Sequence, residues 1–366
     1  MFWNKLNVFH WHLTDDQSFP YESSAFPNLS AKGAYTPDLV YTQDDVRQVI
    51  EYSRNRGIRV IPEFDAPGHT YSFGKAMPDI LTPCYGDGET PGTPNYPLHA
   101  ERETMNPMLD STYAFLRTFF EEVVSTFPDT FVHLGMDEVN YNCWKSSPEI
   151  AAFMQDNGMT EYAEVEQYFV ERHSETIAEL GARQIVWQDP LEKGVEFPDG
   201  TVVQIWKWEW EVQGWTPWQD YMSMSTALGY QSLLSSCWYL NMISYGEQWI
   251  SYYECDPHDF EGTQEQKGLV LGGEGALWME YIDPTNIHPL LWPRASAIAE
   301  RLWSSADVRD IPAARYRLDE QRCRLLGRGI PAAPVFNGYC PKITVGGLNS
   351  PMTNSTIINE DFHKRA

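Results

Sequence analysis

The chain carries seven short β-branched or apolar runs, most of them ending in polar or aromatic residues, and stretches of helical period lie between them. The runs are LNVFHWH (6–12), IRVIPEFD (58–65), TFVHLGMDE (130–138), RQIVWQD (183–189), TVVQIWKW (201–208), YQSLLSSCWY (230–239) and GLVLGGEGALW (268–278). Helical period runs over 42–57, with Thr42 as cap and Gly57 as stop, and again over 111–127 and 165–181. Strands that alternate with helices pair in parallel, since each helix carries the chain back to the start of the next strand. Their nearly continuous apolar character means both faces are covered, which favours a closed (β/α)8 TIM-type barrel over an open sheet. Closure takes eight strands, and the first is expected to be the one lacking, because the chain begins almost on a strand. The barrel is expected over 1–340 and a polar, aperiodic tail over 341–366. The Pro/Gly-rich stretch 82–107 reads as a loop inserted after the 58–65 run.

Charge and cysteine usage narrow the partners. A formal charge of −25 and an isoelectric point near 4.6 would repel a polyanion from most of the surface, which excludes nucleic acid. No apolar run approaches the ~20 residues of a membrane helix, so no stable membrane anchor is expected. The opening MFWNKLNVFHWH lacks the layout of a secretory signal, and reads as a chain whose signal has been removed or as a fragment. Six cysteines without CxxC spacing fit disulfides, and the sequons at Asn28 and Asn354 fit a secretory route. Cys84 with Cys143 would tie the 82–107 loop to the segment after residue 138. Cys237 with Cys255 and Cys323 with Cys340 would close short loops, but spacing leaves the pairing open.

In a barrel the chemistry sits at the C-terminal ends of the strands. Those ends carry His10, His12, Asp15 and Asp16; Glu63, Asp65 and His69; Asp137 and Glu138; Trp187, Gln188 and Asp189; Trp206 and Trp208; Trp238 and Tyr239; and Glu274, Trp278 and Glu280. A lone acidic residue past a strand is usually a cap or a solvated charge, but recurrence at strand after strand is not explained that way. The tandem Asp137-Glu138 is the most informative pair. Two-carboxylate glycosidases set their carboxyl groups on opposite sides of the anomeric carbon, ~5–5.5 Å apart or more, from different strands. Sequence neighbours cannot straddle a sugar, yet they can work from one side. One protonates the departing oxygen while the other polarises a substrate group that attacks, and a 2-acetamido carbonyl can reach its own anomeric carbon.

The stretches KLNVFHWHLTDDQSFPYES, GIRVIPEFDAPGHT, HLGMDEVNYNCWKSSPEI, IVWQD, CWYLN, GGEGALWMEYID and LWPRASAIAERLW resemble the β-N-acetylhexosaminidases, lysosomal and secreted exoglycosidases with a (β/α)8 catalytic barrel. The likeness runs from the first residues to about Cys340. It implies removal of terminal β-linked N-acetylglucosamine or N-acetylgalactosamine from glycoprotein, glycolipid or chitin ends, with retention, by a substrate-assisted route through an oxazolinium ion. In that resemblance Glu138 is the general acid/base, Asp137 orients the acetamido nitrogen, Tyr239 hydrogen-bonds the acetamido oxygen, and Asp15 and His69 form a relay behind Glu138. Trp187, Trp206 and Trp278 wall the acetamido pocket, and Glu280 and Asn241 bind the sugar. No cofactor and no metal are implied; a lysosomal or secreted location is, and a homodimer is left open.

The chain departs from the family pattern at Met136, where a second glycine is usual, and at Asn241-Met242, where the lack of arginine points to neutral sugars. The family's sugar-binding arginine and first barrel strand fall upstream of Met1, which predicts an open barrel and weak or no activity for the isolated chain. Two further readings compete with the glycosidase. One is a metal-dependent barrel hydrolase using His10 and His12 with Asp65 or His69, and the other is a sugar-binding relative without catalysis. Beside Asp137 in a partly dry pocket, Glu138 is expected to have a raised pKa.

Overall fold

The computed structural model describes residues 1–209 and 216–340, so the tail expected at 341–366 lies outside the described residues. Its strands are β1 (Val8–Thr14), β2 (Arg59–Phe64), β3 (Leu81–Pro83), β4 (Arg102–Met105), β5 (Phe131–His133), β6 (Arg183–Trp187), β7 (Val202–Ile205), β8 (Gln231–Leu234) and β9 (Val270–Gly273). All but β3 and β4 form one parallel sheet in the order β1-β2-β5-β6-β7-β8-β9. Each sheet strand falls on one of the seven expected runs; β1 extends past its run to Thr14, and the other six end sooner. The shortening is largest at β5, where Gly135 and Met136 turn into left-handed backbone with φ of 69° and 74°. The residues past each strand are thereby released to point into the mouth of the barrel.

Inner strands are buried on both faces, as in β7, whose four residues are all inaccessible. The outer strands β1 and β9 are partly exposed, and no ladder joins them among the described residues. The sheet still curls until these edges face each other. His10 Nδ1 on β1 lies 3.0 Å from Glu274 Oε1 just past β9, and Trp303 Nε1 donates to Lys5 O at 2.8 Å. The result is the expected (β/α) barrel with seven of its eight strands, open between β9 and β1.

Helices cover the outside where periodicity places them. Gln43–Arg54 opens on a capping box in which Thr42 Oγ1 accepts from Asp45 N–H and the Asp45 carboxylate accepts from Thr42 N–H. Asp110–Thr126 turns a phenylalanine-rich face inward, and Tyr162–Glu179 packs beside it. Phe119 is the hub of that face: fully buried, it meets Phe19, Tyr21, Phe64, Phe73, Phe115 and Phe120 with ring centroids 4.9–6.2 Å apart. The inserted loop is more ordered than its composition implies, because β3 and β4 pair as an antiparallel hairpin within it. Disulfides join Cys84 to Cys143, Cys237 to Cys255 and Cys323 to Cys340. The first ties this hairpin to the segment after Glu138. No helix among the described residues is long and apolar enough to cross a membrane.

Phe119→Ala should lower the unfolding free energy by about 3–5 kcal/mol, the usual cost of emptying a buried aromatic site. Chemical denaturation checks it, and a loss below about 1 kcal/mol would show that the neighbouring rings collapse into the space.

Candidate active site

The site begins with a contact between two strand ends. Gly135, past β5, runs so close to Asp65, past β2, that a Cβ there would sit 1.8 Å from Asp65 Oδ1. The same oxygen accepts the Met136 N–H at 2.8 Å. Met136 therefore takes left-handed backbone that disfavours a side chain, and buries that side chain in the core. The departure from glycine at this position leaves both carboxylates in place. Asp137 turns inward and is buried, whereas the Glu138 side chain, also on left-handed backbone (φ 47°), is 53% exposed. The Glu138 N–H donates to Asp189 Oδ1 at 3.1 Å, which fixes the turn from the β6 side.

His69 stands between the two carboxylates. Its Nδ1 is 3.1 Å from Asp15 Oδ1, and its Nε2 is 3.5 Å from Glu138 Oε2 and 3.6 Å from Asp137 Oδ2. Burial favours the neutral ring, but Asp15, Glu138, Asp137 and Asp65 outweigh it and raise His69 far above its ordinary value. The contact with His69 in turn holds Glu138 below the usual glutamate value, against partial burial. The expectation of a raised Glu138 pKa is thus corrected: the dominant neighbour is a cation from another strand rather than Asp137. It is Asp137 that is raised, to about 7, first by burial. Its neighbour Asp65 is raised as well, by burial and by the Asp137 charge, so one proton is held within this pair near neutrality.

The aromatic residues come from β6 onward. Trp187 is 2% exposed and lies on the floor, 6.3 Å from Trp278 between ring centroids. Trp206 donates Nε1–H to Asp189 Oδ2 at 2.7 Å, and Lys207 Nζ lies 2.9 Å from Asp189 Oδ1 and 2.8 Å from Glu192. Tyr239 is buried beside the Trp208 ring; burial, with the charges of Asp137, Asp189 and Glu274, keeps its hydroxyl protonated. Buried Oδ1 atoms of Asp137 and Asn241 have no hydrogen-bond partner in the protein, which leaves two acceptors for a ligand's donors. Glu280 is exposed and makes none of the hydrogen bonds or ion pairs that join the other residues.

Beneath the mouth lies a second layer built around Glu63, a residue with no role expected from the sequence. Glu63, fully buried, lies 2.6 Å from His10 Nε2 and 3.2 Å from His133 Nδ1, and accepts Trp187 Nε1–H at 2.8 Å. Burial pulls His10 down, yet Glu274 and Glu63 on its two ring nitrogens push it up to about 10. Both ring nitrogens of His10 face carboxylates, Nε2 toward Glu63 and Nδ1 toward Glu274, while His12 Nε2 lies 3.6 Å from Glu63. His133 and Lys207 carried no signal in the sequence beyond their place in a strand run.

A parallel barrel with an acid pair, a histidine relay and aromatic walls at its C-terminal mouth is the catalytic-domain type of a sugar-cleaving hydrolase. The comparisons agree with that class. Residues 1–306 match Glycosyl hydrolase family 20, catalytic domain, and the chain belongs to this family. It is 48% identical over 346 residues to human beta-hexosaminidase subunit beta, across 93% of this chain and 59% of that protein. To the rat beta-hexosaminidase subunit alpha it is 47% identical over 341 residues, across 93% and 62%. The chain thus spans about three fifths of the length of these relatives. Among solved structures it resembles Flavobacterium johnsoniae chitobiase (TM-score 0.77, 29% identity, 89% of this chain and 48% of that one). It also resembles the family 20 exo-β-N-acetylglucosaminidase of Vibrio harveyi in complex with N-acetylglucosamine (TM-score 0.77, 27% identity, 91% and 55%).

A raised carboxyl pKa favours the fold at low pH. The contribution of Asp137 is complete below the unfolded value of about 3.9 and is lost as pH rises through about 7. The melting temperature of wild type minus that of Asp137→Asn should therefore fall between pH 4 and pH 7, as read by scanning calorimetry. A difference independent of pH would show that Asp137 is ionised throughout.

Proposed function

We propose that this chain is the catalytic domain of a β-N-acetylhexosaminidase, which removes terminal β-linked N-acetylglucosamine or N-acetylgalactosamine by substrate-assisted, retaining hydrolysis. One observation carries the reading: the other carboxylates next to the Asp137-Glu138 turn are already engaged. Asp15 is taken by His69, Asp65 by Met136 N–H and Asp137, and Asp189 by Lys207, Trp206 and Glu138 N–H. With these three carboxylates held by protein partners, the reading assigns the attacking oxygen to the substrate's own acetamido group.

In this reading Glu138 protonates the glycosidic oxygen while the acetamido carbonyl oxygen closes on the anomeric carbon and the aglycone leaves. Asp137, with the pair's proton resting on Asp65, accepts the acetamido N–H as carboxylate and steadies the positive charge that spreads over the ring. Its unpartnered Oδ1 supports that role. Tyr239 donates to the acetamido oxygen, and Trp187, Trp206 and Trp278 hold the acetyl group near attack geometry. Glu138 then takes a proton from the water that opens the oxazolinium ion, and two inversions give retention. The proton for the first step rests on His69, within reach of Glu138 and stabilised by Asp15. Drying of the mouth by substrate favours its transfer to Glu138, because a neutral pair costs less to bury than an ion pair. Neutral glycan ends are the proposed partners, with Asn241 and Glu280 on the sugar hydroxyls. Three disulfides support a lysosomal or secreted setting.

Glu138→Gln should lower kcat on an aryl β-N-acetylglucosaminide by about 10²–10⁴-fold without loss of fold. The matching aryl β-glucoside, which lacks the amide, should react at least about 10³-fold more slowly than the N-acetyl sugar. Comparable rates on the two sugars would contradict the proposal. Wild type that binds the sugar and releases no chromophore would favour a binding protein instead.

A further inference from the structure

The buried layer beneath the mouth holds a carboxylate that the proposed reaction does not use. Glu63 sits on β2 with no exposed surface, and an unpaired carboxylate in such a place costs several kcal/mol, so what surrounds it must be specific. Its Oε2 lies 2.6 Å from His10 Nε2, whose other nitrogen is 3.0 Å from Glu274 Oε1. Its Oε1 accepts the Trp187 indole N–H at 2.8 Å and lies 3.6 Å from His12 Nε2. The His12 ring meets Trp278 edge-on, with centroids 5.2 Å apart. Trp187 and Trp278 are the two rings that form a corner of the proposed acetyl pocket, tilted 44° to each other. A single carboxylate thus reaches both of them, one directly and the other through His12.

Resting on the proposed function, we infer that Glu63 is a positioning residue that sets the acyl selectivity of the site: it pins the Trp187 indole by hydrogen bond and the Trp278 indole through His12, so the corner fits an acetyl group and rejects a longer N-acyl chain. The tryptophans alone would not have this effect. An indole held only by apolar packing can tilt to admit one more methylene. An indole whose N–H is bonded to a buried, charged acceptor must break that bond to move. The acceptor is itself held, because His10 between Glu63 and Glu274 ties β2 to the segments on both sides of the open seam.

The test compares the ratio of kcat/KM for N-acetyl and N-propionyl aryl β-glucosaminides, since one methylene is worth about 10–200-fold in a fitted pocket. Glu63→Gln should lower that ratio about tenfold or more, and should shift the Trp187 indole N–H resonance in an ¹H–¹⁵N spectrum. A general loss of structure would lower both kcat/KM values together and leave the ratio alone. If Glu63→Gln does not fold, His12→Phe serves in its place. It keeps an aromatic edge against Trp278 but cuts the tie to Glu63, and it should lower the same ratio. A selective wild type with an unchanged ratio in the folded variant overturns the inference and leaves the proposed function standing. Wild type that neither cleaves nor binds either sugar overturns both.

Discussion

The close approach of Asp65 to Gly135 determines how the site is built. An oxygen of the β2 end occupies the space where any other residue at 135 would place its Cβ, and that oxygen also takes the Met136 N–H. The chain can pass this point only in left-handed backbone, which ends β5 at His133 and turns the next residues in opposite directions. Asp137 goes down toward Asp65, and the Glu138 side chain goes out toward His69 while its N–H donates to Asp189 Oδ1. Both lie beside His69, but Asp137 is buried among carboxylates whereas the Glu138 side chain is half exposed. Their pKa values separate in consequence, Asp137 upward and Glu138 downward. The proposed acid and brace need the reverse, so binding of substrate must move a proton onto Glu138 from His69 and off Asp137.

A second layer of charge supports the first. Glu63, His10 and Glu274 alternate in sign beneath the mouth and connect β2, β1 and the segment past β9. This link crosses the seam where no backbone ladder closes the barrel, so side chains do there what hydrogen-bonded strands do elsewhere in the ring. The cost of burying such charges is met because each has a partner of opposite sign within about 3 Å, the geometry in which pairing offsets desolvation.

The sheet was legible in the sequence because its strands are apolar on both faces and are separated by helices with ordinary caps such as Thr42. Strand ends were not. The run 130–138 is apolar to Met136, yet β5 stops at His133, because the turn is imposed by Asp65 from another strand. The candidate site was legible where residues stand together, as Asp137 and Glu138 do, or where a resemblance named them. His10 and Glu274 lie 264 positions apart, and nothing in either neighbourhood marks the pair. Glu63 is followed two residues later by Asp65, and only the fold shows that the first is bound to histidines and an indole while the second is bound to a backbone amide and Asp137. The misjudged Glu138 pKa has the same origin: its sequence neighbour was visible, and its spatial neighbour His69 was not.

The central claim is that the oxygen which displaces the aglycone belongs to the substrate's amide. Replacing the acetyl group of an aryl β-N-acetylglucosaminide by mono-, di- and trifluoroacetyl groups withdraws electrons from that oxygen in steps while changing its size little. If the amide attacks, log kcat falls steeply and linearly with the electron withdrawal of the series. A flat series would place the nucleophile in the protein and contradict the account.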